Sequence, residues 1–234
     1  MQRNIQGGGT AMRYTFQEYV QKLLSATGET LYMVFVSTVI AAIFGTAIGI
    51  VVAVTAKNGI RPNKPLNAVF EVIVNLGRSV PFIILLILLI PFTRFLVGTA
   101  LGTSAAIVPL TIAAIPFVAR VVDSALKEVD AGVVEASQSM GDNAWRTVFC
   151  VMIPESLPSL LRGLSLTVIN LIGYSAMAGT VGGGGLGDLA YKDGYVRYDT
   201  MTIVLAVVIL IVMVQLIQWI FNLIVWKIDK KNKA

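Results

Sequence analysis

Four stretches of this chain, residues 30–56, 95–119, 163–187 and 200–226, contain no Asp, Glu, Lys or Arg. Each exceeds the roughly 20 residues that a tilted helix needs to cross the hydrocarbon core of a bilayer. A fifth apolar run, 69–93, carries only Glu71 and Arg78 as charges. With 13% charged residues and a mean hydropathy of +0.79, the chain reads as an all-α integral membrane protein of five spans.

Five spans place the termini on opposite sides, and the distribution of Lys and Arg orients them. One face collects Lys57, Arg61 and Lys64, then Arg120, Lys127, Arg146 and Arg162, then Lys227, Lys230, Lys231 and Lys233. The other has Arg3, Arg13, Lys22, Arg94, Lys192 and Arg197. The expected topology is therefore N-terminus outside and C-terminus cytoplasmic, with residues 120–162 in the cytoplasm. The net charge of +5 follows from this bias and calls for no nucleic-acid partner. Residues 1–28 read as a leader, with the start at Met1 or Met12, followed by an amphipathic lead-in to the first span. Its apolar stripe, Phe16, Tyr19, Val20, Leu23 and Leu24, suits the membrane surface.

Most enzyme chemistry lacks its usual residues here. Histidine is absent, which removes the commonest general base and metal ligand. The single cysteine, Cys150, lies in an apolar setting and reads as packing rather than as a nucleophile. No catalytic residue and no metal ligand is assigned. Acidic residues avoid the spans as pairs, unlike a proton- or sodium-driven carrier, so the driving energy is expected from another subunit. Gly182 to Gly187 match a dinucleotide-binding spacing, but they follow an apolar helix rather than a strand. They read as a sharp outer turn that uses positive φ.

The segment 128–155, EVDAGVVEASQSMGDNAWRTVFCVMIPE, is too elaborate for a plain connection. Residues 133–140 suit a short helix that Gly141 terminates. Asp142 or Asn143 would cap a second helix running to Ile153, and Pro154 and Pro158 would reset the chain. A short helix between two hinges, with a free polar face, is shaped to dock in a groove of another protein.

The order Glu135, Ala136, Ser137, three residues, Gly141, nine residues, Val151, Met152, Ile153, Pro154 resembles the EAA signature of ABC-importer permeases, with Ser in the third place where the signature has Ala. The resemblance implies that 127–158 is the loop that couples the membrane helices to a cytoplasmic ATPase. Three further stretches, 75–99, 105–122 and 173–195, resemble permeases of methionine importers, and the likeness runs from about residue 29 to the end. It implies a type I importer permease fold over 29–234 in the bacterial plasma (inner) membrane. It further implies a homodimer in membrane lipid, two ATPase subunits that bind ATP and Mg, and an extracytoplasmic substrate-binding protein. No cofactor is expected in this chain itself.

Two regions suit the pathway. Arg78 precedes Pro81 by three residues, where proline should kink or break the helix. The pair reads either as a hinge near a pore or as a positive-inside residue reaching the interface. In span four Ser165, Thr167, Asn170, Tyr174 and Ser175 are polar, with Gly173 and Gly179 beside them, and Tyr174, Ser175 and Met177 are gate candidates. In span one Ala41, Gly45, Gly49 and Ala53 form a small-residue ridge for close helix packing within the chain. Transport of another amino acid or a small osmolyte, and a self-contained channel or carrier, stay open as alternatives at this stage.

Overall fold

The computed structural model describes residues 15–229, and every regular element among them is helical. The leader and the choice between Met1 and Met12 lie outside the described residues. Four helical stretches are long and apolar enough to span: α1 (Phe16–Thr55), α5 (Thr103–Lys127), the stretch Ala144–Val196 and α10 (Thr200–Ile228). The remaining candidate is a broken pair, α2 (Lys64–Ser79) and α3 (Phe82–Leu88), bent by 102° at Pro81. The short α4 (Ile90–Val97) follows, ending at Gly98 with φ +84°.

The ridge on α1 does pack within the chain. A Cβ on Gly45 would stand 2.6 Å from Val118 Cβ, and one on Gly49 2.6 Å from the Ala119 carbonyl oxygen. Lipid tails are as apolar as leucine, so close backbone approach of this kind holds spans together. Of the four long stretches α5 is the most enclosed and α10 the least. Residues such as Val204, Val208 and Ile211 on α10 face outward, as lipid contact requires.

The apolar runs shift against the helices in an instructive way. The run 95–119 predicts a span that ends before Arg120, yet α5 continues to Lys127. Its charges pair on one face: Asp123 is 3.0 Å from Arg120 and 2.7 Å from Lys127, at the i,i+3 and i,i+4 spacings that helices favour.

The lead-in is no separate element. α1 passes residue 28 without a break, and at about 60 Å it is far longer than the hydrocarbon core is thick. The predicted surface stripe divides: Tyr19 and Leu23 are buried, whereas Phe16, Val20 and Leu24 are exposed. The buried side is held by the segment before α10. The Tyr19 hydroxyl donates to Asp199 at 2.7 Å, and Lys22 meets Asp193 at 2.7 Å.

Asp199 caps α10 outside the spans. Burial pushes its carboxyl upward, but hydrogen bonds from the Tyr19 hydroxyl, from Thr202 and from the Met201 backbone outweigh it and hold it below the ordinary Asp value. The folded state therefore binds this proton less readily than the unfolded chain. The resulting stability is complete above the unfolded pKa of about 3.9 and is lost as pH falls through the lower folded value. Asp199→Asn should cost about 1.5–3 kcal/mol. Thermal unfolding of the two proteins should differ by a constant amount from about pH 8 to pH 5, shrinking only below about pH 4. A difference that already shrinks near neutral pH would contradict the tether.

Candidate functional site

The loop 127–158 folds as a capped, two-part helical hairpin. The Asp130 carboxylate accepts the Gly132 N–H at 2.8 Å and opens α6 (Ala131–Ser139). Gly141 closes it at φ +89°, with its N–H on the Gln138 carbonyl and the Asp142 N–H on the Ser137 carbonyl. These two bonds make a Schellman stop, which satisfies carbonyls a helix end would leave bare. Asn143, not Asp142, caps the next helix: its side chain accepts the Arg146 N–H at 2.9 Å and starts α7 (Ala144–Arg146). Asp142 instead accepts the Ser137 hydroxyl at 2.9 Å and pairs with Arg146 at 3.0 Å.

Pro154 and Pro158 do not reset the chain. A π-helical turn, Thr147–Met152, runs straight into α8 (Ile153–Thr180), with Pro154 in its first turn and Pro158 inside it. The Ile153 N–H still bonds back to the Val148 carbonyl, and the wider π turn ahead of Pro154 gives the register room to accommodate a residue with no N–H. The loop thus has a glycine joint on one side and a continuous helix on the other, rather than two hinges.

The signature residues divide by role. Ser137 is buried, 2.9 Å from Asp142 and 3.3 Å from the Thr147 hydroxyl, and so ties α6 to the π turn. Glu135 and Ala136 are exposed. Glu135 lines a groove of about 640 Å³ together with Lys57, Lys127 and Gln138. Beside it the loop exposes Val133, Met140, Trp145 and Phe149, the last two stacked at 5.9 Å. The i,i+4 spacing of this aromatic pair is the sequence signal for it. Cys150 is exposed rather than packed in a core.

At the α2–α3 break the structure brings four predicted or neighbouring side chains together. Tyr174 of α8 stacks on Phe82 with centroids 4.5 Å apart and planes 4° apart, and meets Phe117 edge-on at 6.5 Å. The Arg78 guanidinium lies 5.4 Å above the Phe117 ring. Gly77 makes this approach possible: a Cβ there would fall 2.5 Å from Pro116 Cγ. Arg78, Pro81 and Tyr174 therefore form one cluster.

Met177 lies one turn beyond Tyr174 and is 47% exposed. With Leu166, Asn170 and Gly173 it forms the open face of α8. Ser175 does not share this face. It is buried and donates its hydroxyl to the Ile172 carbonyl at 2.7 Å, so its polarity is spent inside the helix. Thr167 likewise bonds back to Gly163. The room at Gly179 is filled by the backbone of α9 (Gly185–Leu189). That short helix follows a turn with positive φ at Gly182, Gly184 and Gly185, and Glu29 of α1 accepts its first N–H at 2.7 Å.

A polar relay unseen in the sequence joins the loop to the break. Arg120, paired with Asp123, donates to the Asn75 side chain of α2 at 2.6 Å. Glu128, at the start of the loop, accepts the Ser159 hydroxyl of α8 at 2.6 Å.

Comparison with known proteins agrees with this architecture. A solved chain from the inward-facing MetNI methionine ABC transporter superposes with a TM-score of 0.90 at 42% identity, covering 92% of this chain and all of the other. An amino acid ABC transporter shares the fold at a TM-score of 0.75 and 22% identity. The probable D-methionine transport system permease protein MetI of Vibrio cholerae is 49% identical over 89% of this chain and 93% of its own length. The methionine import system permease protein MetP of Bacillus subtilis is 46% identical over 90% and 95%. Residues 45–233 match the family described as binding-protein-dependent transport system inner membrane component. That match spans most of the chain, helix breaks and capped loop included, and this protein belongs to that family of inner-membrane transport permeases.

Proposed function

We propose that this chain is the membrane-spanning, non-catalytic subunit of an ATP-driven, binding-protein-dependent importer of methionine. The observation that carries the reading is the loop 127–158. Its signature residues build a rigid helix that presents Val133, Met140, Trp145 and Phe149, in a chain similar over about nine-tenths of its length to permeases named for methionine. An exposed apolar and aromatic face on a cytoplasm-facing loop suits docking to a soluble partner, here the ATPase that holds ATP and Mg. The Lys and Arg distribution supports an outer N-terminus and a cytoplasmic C-terminus, with the broken α2–α3 pair as the fifth span.

The open face of α8 supports a homodimer in which the two copies meet at a central pathway. Asn170 and Gly173 there are exposed, and a polar amide at bilayer depth seeks a partner helix or water. An extracytoplasmic binding protein would deliver substrate to the outer mouth near α9. Swinging such a pore between outward and inward states takes about 5.5 kcal/mol of differential interaction to move populations from 1:99 to 99:1. ATP binding and hydrolysis in the partner supply it, and the loop conveys it.

Gly141 gives the first test. Any L side chain is strained at its φ of +89°, by about 1–2 kcal/mol, while Asn tolerates the left-handed region best. Gly141→Val should lower recovery of the ATPase in co-purification by several-fold while the spans stay inserted, and Gly141→Asn should hold most of it. Undiminished recovery and transport in the valine variant would overturn the coupling role. It would also remove the support for a cytoplasmic loop.

Met177 gives the second. In a Cys150→Ser background, Met177→Cys should crosslink to its symmetry mate in the closed pore, since a disulfide needs Cα atoms within about 7 Å. Met177→Ala should raise ATP hydrolysis uncoupled from uptake. No crosslink in any nucleotide state, with normal coupling in the alanine variant, would move the gate elsewhere on α8.

A further inference from the structure

α10 carries a polar row that the rest of the chain does not answer. Gln215, Gln218 and Asn222 follow one another at i, i+3 and i+7 within residues 200–226, a stretch free of charge. At about 100° per residue they fall within about 60° of one another on the helix. All three are exposed, while Ala206 and Met213 on the opposite side are buried against the chain. None of the three side chains hydrogen-bonds a described residue. The two amides of α2 differ in this respect: Asn67 donates to the Val52 carbonyl at 2.8 Å, and Asn75 accepts from Arg120 at 2.6 Å.

The row lies deep in the membrane. The nearest charges on either side, Asp199 and Lys227, are about 42 Å apart along the helix. Gln215 stands about 18 Å and Gln218 about 14 Å from Lys227. A hydrocarbon core of about 30 Å encloses both, wherever it falls between those two charges. Asn222, about 8 Å from Lys227, lies toward the cytoplasmic edge. Lipid tails offer such amides no hydrogen bond, so a neighbour within the membrane must. The ATPase and the binding protein stay in water on either side and cannot reach them.

We propose that the row Gln215, Gln218 and Asn222 is an interface with a second copy of this chain, held by hydrogen bonds between amides of the two copies. A side-chain amide both donates and accepts, so the row is complementary to itself. A copy related by a two-fold axis along the membrane normal presents the same residues at the same depth. Its α8 also presents Asn170, the remaining span amide that bonds no described residue. The outer half of this face, with Val204, Val208 and Ile211, is apolar and suits lipid, so the contact lies in the inner half of the membrane. Polar groups of this kind hold spans together and fix their register. The inference rests on the homodimer reading above and deepens it by naming a surface that the two copies share.

The test uses the full complex with its ATPase in membranes, assembled from permease copies that carry two different tags. With p-benzoylphenylalanine in place of Gln218, illumination should join the two tagged copies, and mass spectrometry should map the adduct to a span of the other copy. The same probe in place of Leu216, exposed on another side of α10, should take lipid instead. A second measurement avoids the bulk of the probe. The double variant Gln215→Leu, Gln218→Leu should insert as the parent does, since leucine suits lipid better. Exchange of tagged permease between complexes in detergent should quicken about three- to thirtyfold, the range for interhelical hydrogen bonds between spans. Adducts from 218 to lipid alone or to a different protein overturn the interface, as does joining from 216 equal to that from 218. Exchange at the parent's rate, which amides bathed in pathway water would give, overturns it too. If differently tagged copies never share a complex, the homodimer reading itself fails; if they share one and 218 does not join them, this interface alone fails.

Discussion

In the hydrocarbon core no water takes up a freed N–H or C=O, so every break in a helix there must be answered by protein. The main features of this chain follow from how its breaks are answered. At Pro81 the lost donor is tolerated because the chain restarts as α3 with the proline ahead of its first turn, and the bend of 102° is filled by Phe82, Tyr174 and Phe117. Beyond α8, the glycine turn hands its next N–H groups to Glu29 and Thr30 of α1 at 2.7 and 3.0 Å. At the cytoplasmic side Gly141 lets α6 close its own carbonyls. The Pro81 break and the glycine turn therefore each lie where two or more spans meet, which is where relative motion of spans would be felt.

The loop and the pathway share supports. Glu128 and Ser159 tie the start of the loop to the foot of α8. Asp123 and Arg120 tie the foot of α5 to Asn75 of α2, one turn before Arg78 and the break. α5 itself is locked to α1 through Gly45 and Gly49, where no larger residue fits without displacement. These contacts join the start of the loop to α8 and α5 to α2, and the far ends of α2 and α8 carry Arg78, Tyr174 and Met177. Packed interiors switch between discrete arrangements rather than deform continuously, which suits a two-state pore.

Much of this was legible from the sequence, and what was not has physical reasons. Runs without charge located the spans, because charge is what lipid excludes. Proline and glycine located the break, the loop stop and the outer turn, because each acts through its own backbone. Charge and proline taken singly do not give the ends of α5 and α8: Asp123 neutralises two cations across the helix, and a π turn receives Pro154. Ser175 looked like pore polarity, but a hydroxyl can bond its own helix, and only the fold tells which way it faces. The tether of α1 to Asp193 and Asp199 joins residues more than 170 positions apart, and no local pattern announces it.

The central claim is that energy enters this chain through the loop 127–158 from an ATPase and emerges as inward transport of methionine. Uptake into proteoliposomes that hold the permease, its ATPase and its binding protein tests this most directly. Methionine should accumulate against its gradient only when ATP and all three proteins are present, with no response to an imposed proton or sodium gradient. Accumulation driven by an ion gradient without ATP would contradict it and mark the chain as a self-contained carrier.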